Sequence, residues 1–278
     1  MKIQGRLILT LLAAAVVVCG AALPVRAADR NWELLFGEKL DKTEGIAACP
    51  NGRLFVAENE RGAVYEILSD TEIAVVAEGL ARPAGMACSQ DNTLYVLLYA
   101  DGMAVSLTFG EDGVEQKTVS DKLKTPNAAI VVSDGTVYIS ETDNGRVVIL
   151  KDGAPEELVG GIPYANGLAL SDDETMLYIN STTGGKVYVT PLIGENKGKK
   201  KTIAKAIQMV DGIVRAADGT LYVASYAKGD IVAIDADGNT TVVASGLTSP
   251  ASPTIWNGAL YVTSLNGNGV YKVAIDGE

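Results

Sequence analysis

Apolar residues recur along this chain in short alternating stretches, and six times they condense into an aliphatic–aromatic–aliphatic triplet. The triplets are Leu54-Phe55-Val56, Leu94-Tyr95-Val96, Val137-Tyr138-Ile139, Leu177-Tyr178-Ile179, Leu221-Tyr222-Val223 and Leu260-Tyr261-Val262, spaced 39 to 44 residues apart. Alternation over four to eight residues marks a strand with unlike faces, and a fixed period of about 40 residues marks a repeat architecture. Each unit follows one template. A short apolar strand is followed by a turn rich in Asn, Asp and Gly, such as Pro50-Asn51-Gly52 or Ser133-Asp134-Gly135. The triplet then forms a second strand. A polar turn leads to a third strand that often opens on glycine (Gly62-Ala63-Val64-Tyr65, Gly185-Lys186-Val187-Tyr188), and a fourth such as Glu72-Ile73-Ala74-Val75-Val76 closes the unit. Four short strands per repeat are the content of a propeller blade. A lone blade leaves both faces of its sheet uncovered, so six must pack radially to bury a core.

The pattern therefore predicts an all-β, six-bladed β-propeller. The last unit reaches only a third strand, from Val270 to Ile275. The segment Trp32-Glu33-Leu34-Leu35-Phe36 precedes the first unit and supplies a spare strand, which is expected to fill the outer edge of blade six and close the ring. A basic, glycine-containing run, Glu195-Asn196-Lys197-Gly198-Lys199-Lys200-Lys201, interrupts blade four and reads as a solvated loop.

Residues 1–27 stand apart from the repeats. A basic start (Lys2, Arg6), an apolar run from Leu7 to Val18 and the small-residue site around Val25-Arg26-Ala27 read as a secretory signal peptide, leaving one propeller domain over 28–278. The run is short for a bilayer span, so an exported, soluble protein, periplasmic or secreted, is expected. Its removal takes away three basic residues and changes the formal charge from −11 to −14 (20 basic against 34 acidic). An acidic surface repels phosphate backbones, which argues against nucleic acid as a partner. A monomer acting on a small molecule is expected. Export permits a disulfide between Cys49 and Cys88, but they sit at offsets of different parity in their strands, so buried free thiols facing different ways are the expectation. The chain has no histidine, which removes Ser-His-Asp and Cys-His catalysis and histidine metal sites.

Counting ten residues back from each triplet, with one-residue slips in units four and six, reaches Glu44, Ala84, Asn127, Asn166, Asp211 and Ala251. In a propeller these positions open the innermost strands and converge on one ring at the tunnel mouth. Two carboxylates and two carboxamides, with no sulfur or imidazole, suit a hard divalent cation: calcium first, magnesium as the alternative. The competing reading is that Asn and Asp simply open strands as turn residues. It accounts for single positions but poorly for a column whose every non-alanine member can ligate a metal.

The motifs Thr43-Glu44-Gly45, Pro126-Asn127, Ala165-Asn166-Gly167-Leu168-Ala169-Leu170-Ser171 and Val210-Asp211-Gly212-Ile213 resemble the senescence marker protein/gluconolactonase superfamily of regucalcin-like six-bladed propellers. The resemblance covers the chain from about residue 28 onward. It implies a calcium ion held by Glu44, Asn127, Asn166 and Asp211, with Asp211 also serving as base. It implies, in turn, a carboxylic ester hydrolase that opens lactones or activated esters. The sugar-specific members carry a basic residue just before the Asn of the third unit, where this chain reads Lys124-Thr125-Pro126. Glu141, Asn180 and Ser225, read as opening the turns after the second strands on the same face, are candidate substrate contacts. Two other readings remain open: a non-catalytic binding propeller with a structural calcium, and a different reaction on the same scaffold, such as phosphotriester hydrolysis or a lyase step.

Overall fold

The computed structural model describes residues 30–275; the expected signal peptide lies outside them. Every regular element among the described residues is a strand. Twenty-four strands form six four-stranded antiparallel sheets, five of them from consecutive strands and the sixth from the last three strands and the first. The innermost strands are Thr43–Ala48, Pro83–Cys88, Pro126–Val131, Ala165–Leu170, Val210–Arg215 and Pro250–Trp256. Each touches the innermost strand of the next blade, and Thr43–Ala48 touches Pro250–Trp256, so the ring closes.

The aromatic triplets form the second strands and make the core. Leu54, Phe55, Val56, Leu94, Val96, Ile139, Leu177, Ile179, Val223, Leu260 and Val262 are fully buried or nearly so. The two triplet positions flanking the aromatic share one face and the aromatic takes the other, so each second strand packs against blades on both sides.

Closure happens as the N-terminal pattern predicts. Trp32–Leu35 pairs antiparallel with Val270–Val273, placing Trp32 opposite Val273 and Leu35 opposite Val270. The Trp32 ring meets Tyr271 edge-on at 5.0 Å, and its Nε1 donates to Ser245 O at 2.9 Å, tying the added strand to blade five as well as blade six.

The cysteines depart from expectation. Cys49 and Cys88 form a disulfide, with a Cα–Cα distance of 5.1 Å. The parity argument fails because Cys49 lies one residue past its strand, in the turn closed by Cys49 N donating to Arg53 O, where alternation no longer sets side-chain direction. The bridge joins blades one and two within the apolar layer that also holds Phe55, Leu94 and Val96.

Candidate functional site at the tunnel mouth

All six blades carry the same irregularity at the same place. In blade one Thr43 pairs with Glu58 but Ile46 with Val56, so one extra residue is accommodated at Glu44-Gly45. The slip recurs at Ala84-Gly85, Asn127-Ala128, Asn166-Gly167, Asp211-Gly212 and Ala251-Ser252. A bulge leaves its residue unpaired and re-aims the side chain, which is how a position on an inner strand comes to face the tunnel. The glycine after the column residue has a steric cause. A Cβ on Gly45 would lie 1.9 Å from Ala84 O, one on Gly85 2.1 Å from Asn127 O, and one on Gly167 2.7 Å from Asp211 O. At these three glycines the bulged backbones approach too closely for a side chain, whereas blades three and six accommodate Ala128 and Ser252.

The bulges bring Glu44, Asn127, Asn166 and Asp211 to the floor of one cavity of about 330 Å³. Glu44 Oε2 accepts from Asn59 Nδ2 at 2.6 Å, and Asn59 Oδ1 in turn accepts from Arg82 Nε at 3.0 Å. Asn166 Nδ2 donates to Thr182 Oγ1 at 3.1 Å. Burial pushes the Glu44 carboxyl up to about 8, and the charge of Asp211 adds to this while Arg82 opposes it. Burial likewise pushes Asp211 up to about 6, against a hydrogen bond from Asn166 that lowers it. Neither carboxylate has a salt-bridge partner among the described residues, although Arg82 contributes its field. Two water-poor carboxyls converging without a contacting cation, flanked by two amides, form a donor set that fits a divalent ion. The described residues contain no cluster of three or more Asp, Glu, Cys or His, so ligation here depends on the two carboxamides.

Two further tiers complete the cavity. Two residues before each column position the backbone turns left-handed: Lys42 (φ 50°), Arg82 (52°), Thr125 (42°), Tyr164 (57°), Met209 (45°) and Ser249 (43°). None is glycine, and for ordinary residues this conformation costs roughly 1–2 kcal/mol. Each of their carbonyls accepts from the residue that follows the second strand of its blade, namely Asn59, Tyr99, Thr142, Thr182, Tyr226 and Leu265, at 3.1 to 3.2 Å. Arg82, Tyr164 and Met209 from the first set, and Asn59, Tyr99, Thr182, Tyr226 and Leu265 from the second, line the cavity above its floor.

Glu141, Asn180 and Ser225 lie outside that lining, buried in hydrogen bonds of the scaffold. Glu141 accepts from Lys124 N at 2.8 Å, Asn144 Nδ2 at 2.8 Å and Arg146 Nε at 2.6 Å. Ser225 Oγ donates to Gln208 O at 2.8 Å. Equivalent latches run from Ser181 to Pro163 O, from Ser264 to Thr248 O, and from Asp41 N to Glu58, so five of six blades tie the end of strand two to the turn before strand one. The cavity instead takes the residue just past the strand, as at Tyr226 beyond Ser225, where the chain leaves the sheet beside the mouth. Asn180 has a different task. Its Nδ2 donates to Asp211 O at 2.7 Å and Gly212 O at 3.1 Å, and Thr263 Oγ1 makes the corresponding bond to Glu44 O at 2.5 Å. The backbones of the two column carboxylates are thus held by the preceding blade.

The sequence pattern of the SMP-30/Gluconolactonase/LRE-like region matches residues 113–266, more than half of the chain. The chain belongs to this family. Within the family's fold, a gluconolactonase from Xanthomonas campestris is similar at TM-score 0.75, with 18% identity over 87% of this chain and 89% of that one. A calcium-binding protein, regucalcin, from Agrobacterium tumefaciens gives TM-score 0.70 and 18% identity over 85% and 90%. Virginiamycin B lyase from Staphylococcus aureus gives TM-score 0.63 and 16% identity over 89% of each. Human teneurin-4 is 25% identical over 157 residues, 55% of this chain but 5% of that much longer protein. At these identities the structural likenesses establish the six-bladed fold. No helix among the described residues is long and apolar enough to cross a membrane.

Proposed function

We propose that this propeller is a divalent-cation-dependent hydrolase that opens lactones or activated esters at its tunnel mouth. The observation that carries the reading is the pairing of Glu44 and Asp211, both lifted by burial and neither in a salt bridge, with Asn127 and Asn166 on one cavity floor in a chain of the gluconolactonase family. Calcium is the proposed ion, held by these four side chains, with magnesium as the alternative. The bound ion would polarise the acyl carbonyl and stabilise the charge that develops on its oxygen.

The chain's own residues supply the rest. Asp211 stands where it can take the proton of the attacking water; burial raises its carboxyl and a bound cation would lower it again, so it would act as a modest base. Asn180 fixes its backbone for that task, and Thr263 does the same for Glu44. The Asn59–Glu44 hydrogen bond holds the second carboxylate in one orientation. Among the described residues the cavity carries no Ser, Cys or Lys nucleophile, and its carboxylates are weak bases, which suits good leaving groups and not amides.

A lyase reading is weaker. A histidine-to-alanine variant of virginiamycin B lyase is catalytically inactive, and this chain has no histidine. Export through the N-terminal segment is proposed as well, and the Cys49–Cys88 disulfide supports an oxidising destination such as the periplasm. Hydrolysis of a lactone panel, followed by acid release with calcium and then with EDTA, tests the reading. Turnover that EDTA abolishes and calcium restores is expected. A calcium-dependent rise in Tm without turnover on any lactone would reduce the ion to a structural staple.

A further inference from the structure

The ring of left-handed residues is a place where side chain, backbone and cavity coincide. Holding six non-glycine residues at positive φ is unfavourable, and such strain persists where the surrounding structure imposes it, often beside functional sites. Here the imposed conformation lifts Arg82, Tyr164 and Met209 over the column. Tyr164 and Met209 are among the few large apolar side chains left open to solvent, 41% and 44% exposed, and both lie on the same mouth. Leu265 and Tyr226 extend this apolar collar.

The polar atoms of the collar are largely used by one another. Burial is the main cause that raises the Tyr99 hydroxyl, and the Tyr164 hydroxyl faces it closely enough to add to the rise. The Tyr226 hydroxyl accepts from Asn266 Nδ2, Arg82 Nε is held by Asn59, and the guanidinium lies 6.0 Å above the Tyr99 ring. What faces an incoming molecule above the column is mostly ring face, thioether and aliphatic carbon, with the terminal nitrogens of Arg82 as the main polar exception. A polyhydroxylated sugar ring needs a partner for each hydroxyl it buries, because a desolvated hydroxyl left unpaired lowers affinity. This collar offers few. Thr125, the blade-three member of the ring, does not reach the cavity.

We infer that the propeller selects lactones or esters carrying an apolar, alkyl or aryl substituent, and that Tyr164 and Met209 are the residues that select them. This rests on the hydrolase reading for the reaction but not for the recognition. The tests use the whole protein with calcium. The first compares kcat/KM for δ-decalactone and dihydrocoumarin with that for glucono-δ-lactone. A preference of at least tenfold for the apolar pair is expected, and equal or better turnover of the sugar lactone overturns the inference. Tyr164→Gly and Met209→Gly remove the side chains while suiting the left-handed backbone, so Tm is expected to hold or rise. Each variant should lower the preference about tenfold through KM; an unchanged preference overturns the assignment of these two residues.

Should no lactone turn over, the hydrolase reading fails and binding alone decides the collar. Titration calorimetry would then compare a non-hydrolysable 6-pentyl δ-lactam with gluconolactam. Tighter binding of the alkyl lactam, weakened in both glycine variants, supports the collar. Equal binding, tighter binding of the sugar lactam, or no binding of either overturns it.

Discussion

Replacing Glu44 by glutamine in the cation-free protein should stabilise the fold at alkaline pH, although it removes a proposed ligand. Burial lifts the folded-state pKa of Glu44 from 4.5 to about 8, and burial lifts that of Asp211 from 3.8 to about 6. For a carboxyl raised in the folded state, the unfolded chain releases its proton first. Stability therefore falls as pH rises from the unfolded value to the folded one, and is level beyond it. For Glu44 the window runs from about 4.5 to about 8. A full shift across it corresponds to about 5 kcal/mol at about 1.4 kcal/mol per unit. Because Glu44 is partly exposed at the cavity, solvent screening reduces this to about 2–3 kcal/mol. Glutamine keeps the shape and an oxygen to accept from Asn59 but carries no charge. Urea unfolding in EDTA should thus find Glu44→Gln more stable than the parent by about 2–3 kcal/mol at pH 8.5 and equal to it at pH 4.5. Adding calcium should reverse the order at pH 8.5, since the ion stabilises only the protein that binds it well. A variant equal to or weaker than the parent at pH 8.5 in EDTA would refute the buried, uncompensated carboxylate on which the cation site rests.

Three further outcomes follow from the geometry. Gly45→Ala would place a Cβ 1.9 Å from Ala84 O, a backbone atom that cannot swing aside, and should cost about 3 kcal/mol or more in chemical denaturation, with loss of calcium response. Cys49→Ser with Cys88→Ser opens a 39-residue link between blades one and two and should lower stability by roughly 3–4 kcal/mol, read as a Tm difference that reducing agent abolishes. Thr263→Val and Asn180→Leu remove the bonds to the backbones of Glu44 and Asp211, and each should weaken calcium binding at least tenfold by calorimetry. An unchanged dissociation constant would show that these bonds serve the fold alone.

Much of this molecule is written in local periodicity. The triplet spacing specifies six blades, and the surplus strand at Trp32–Leu35 finds the one blade that lacks an outer edge, because an unpaired edge and an unpaired apolar strand satisfy each other. The column of Glu44, Asn127, Asn166 and Asp211 is legible too, since equivalent positions in a closed ring must converge. Periodicity tells which side of a strand is apolar, but it carries no information about how one blade is offset against the next. That offset brought Cys49 within 5.1 Å of Cys88 at their Cα atoms, against the parity of their strands. It also gave Asn180 to the backbone of the neighbouring blade, while the point at which the strand ends put Tyr226 on the cavity where Ser225 was expected. The left-handed ring likewise leaves no mark in composition, for the residues there are Lys, Arg, Thr, Tyr, Met and Ser, none of which favours positive φ. Only the closing of six strands around one axis, with backbones too near for side chains at Gly45, Gly85 and Gly167, forces that conformation and so decides which side chains stand over the site.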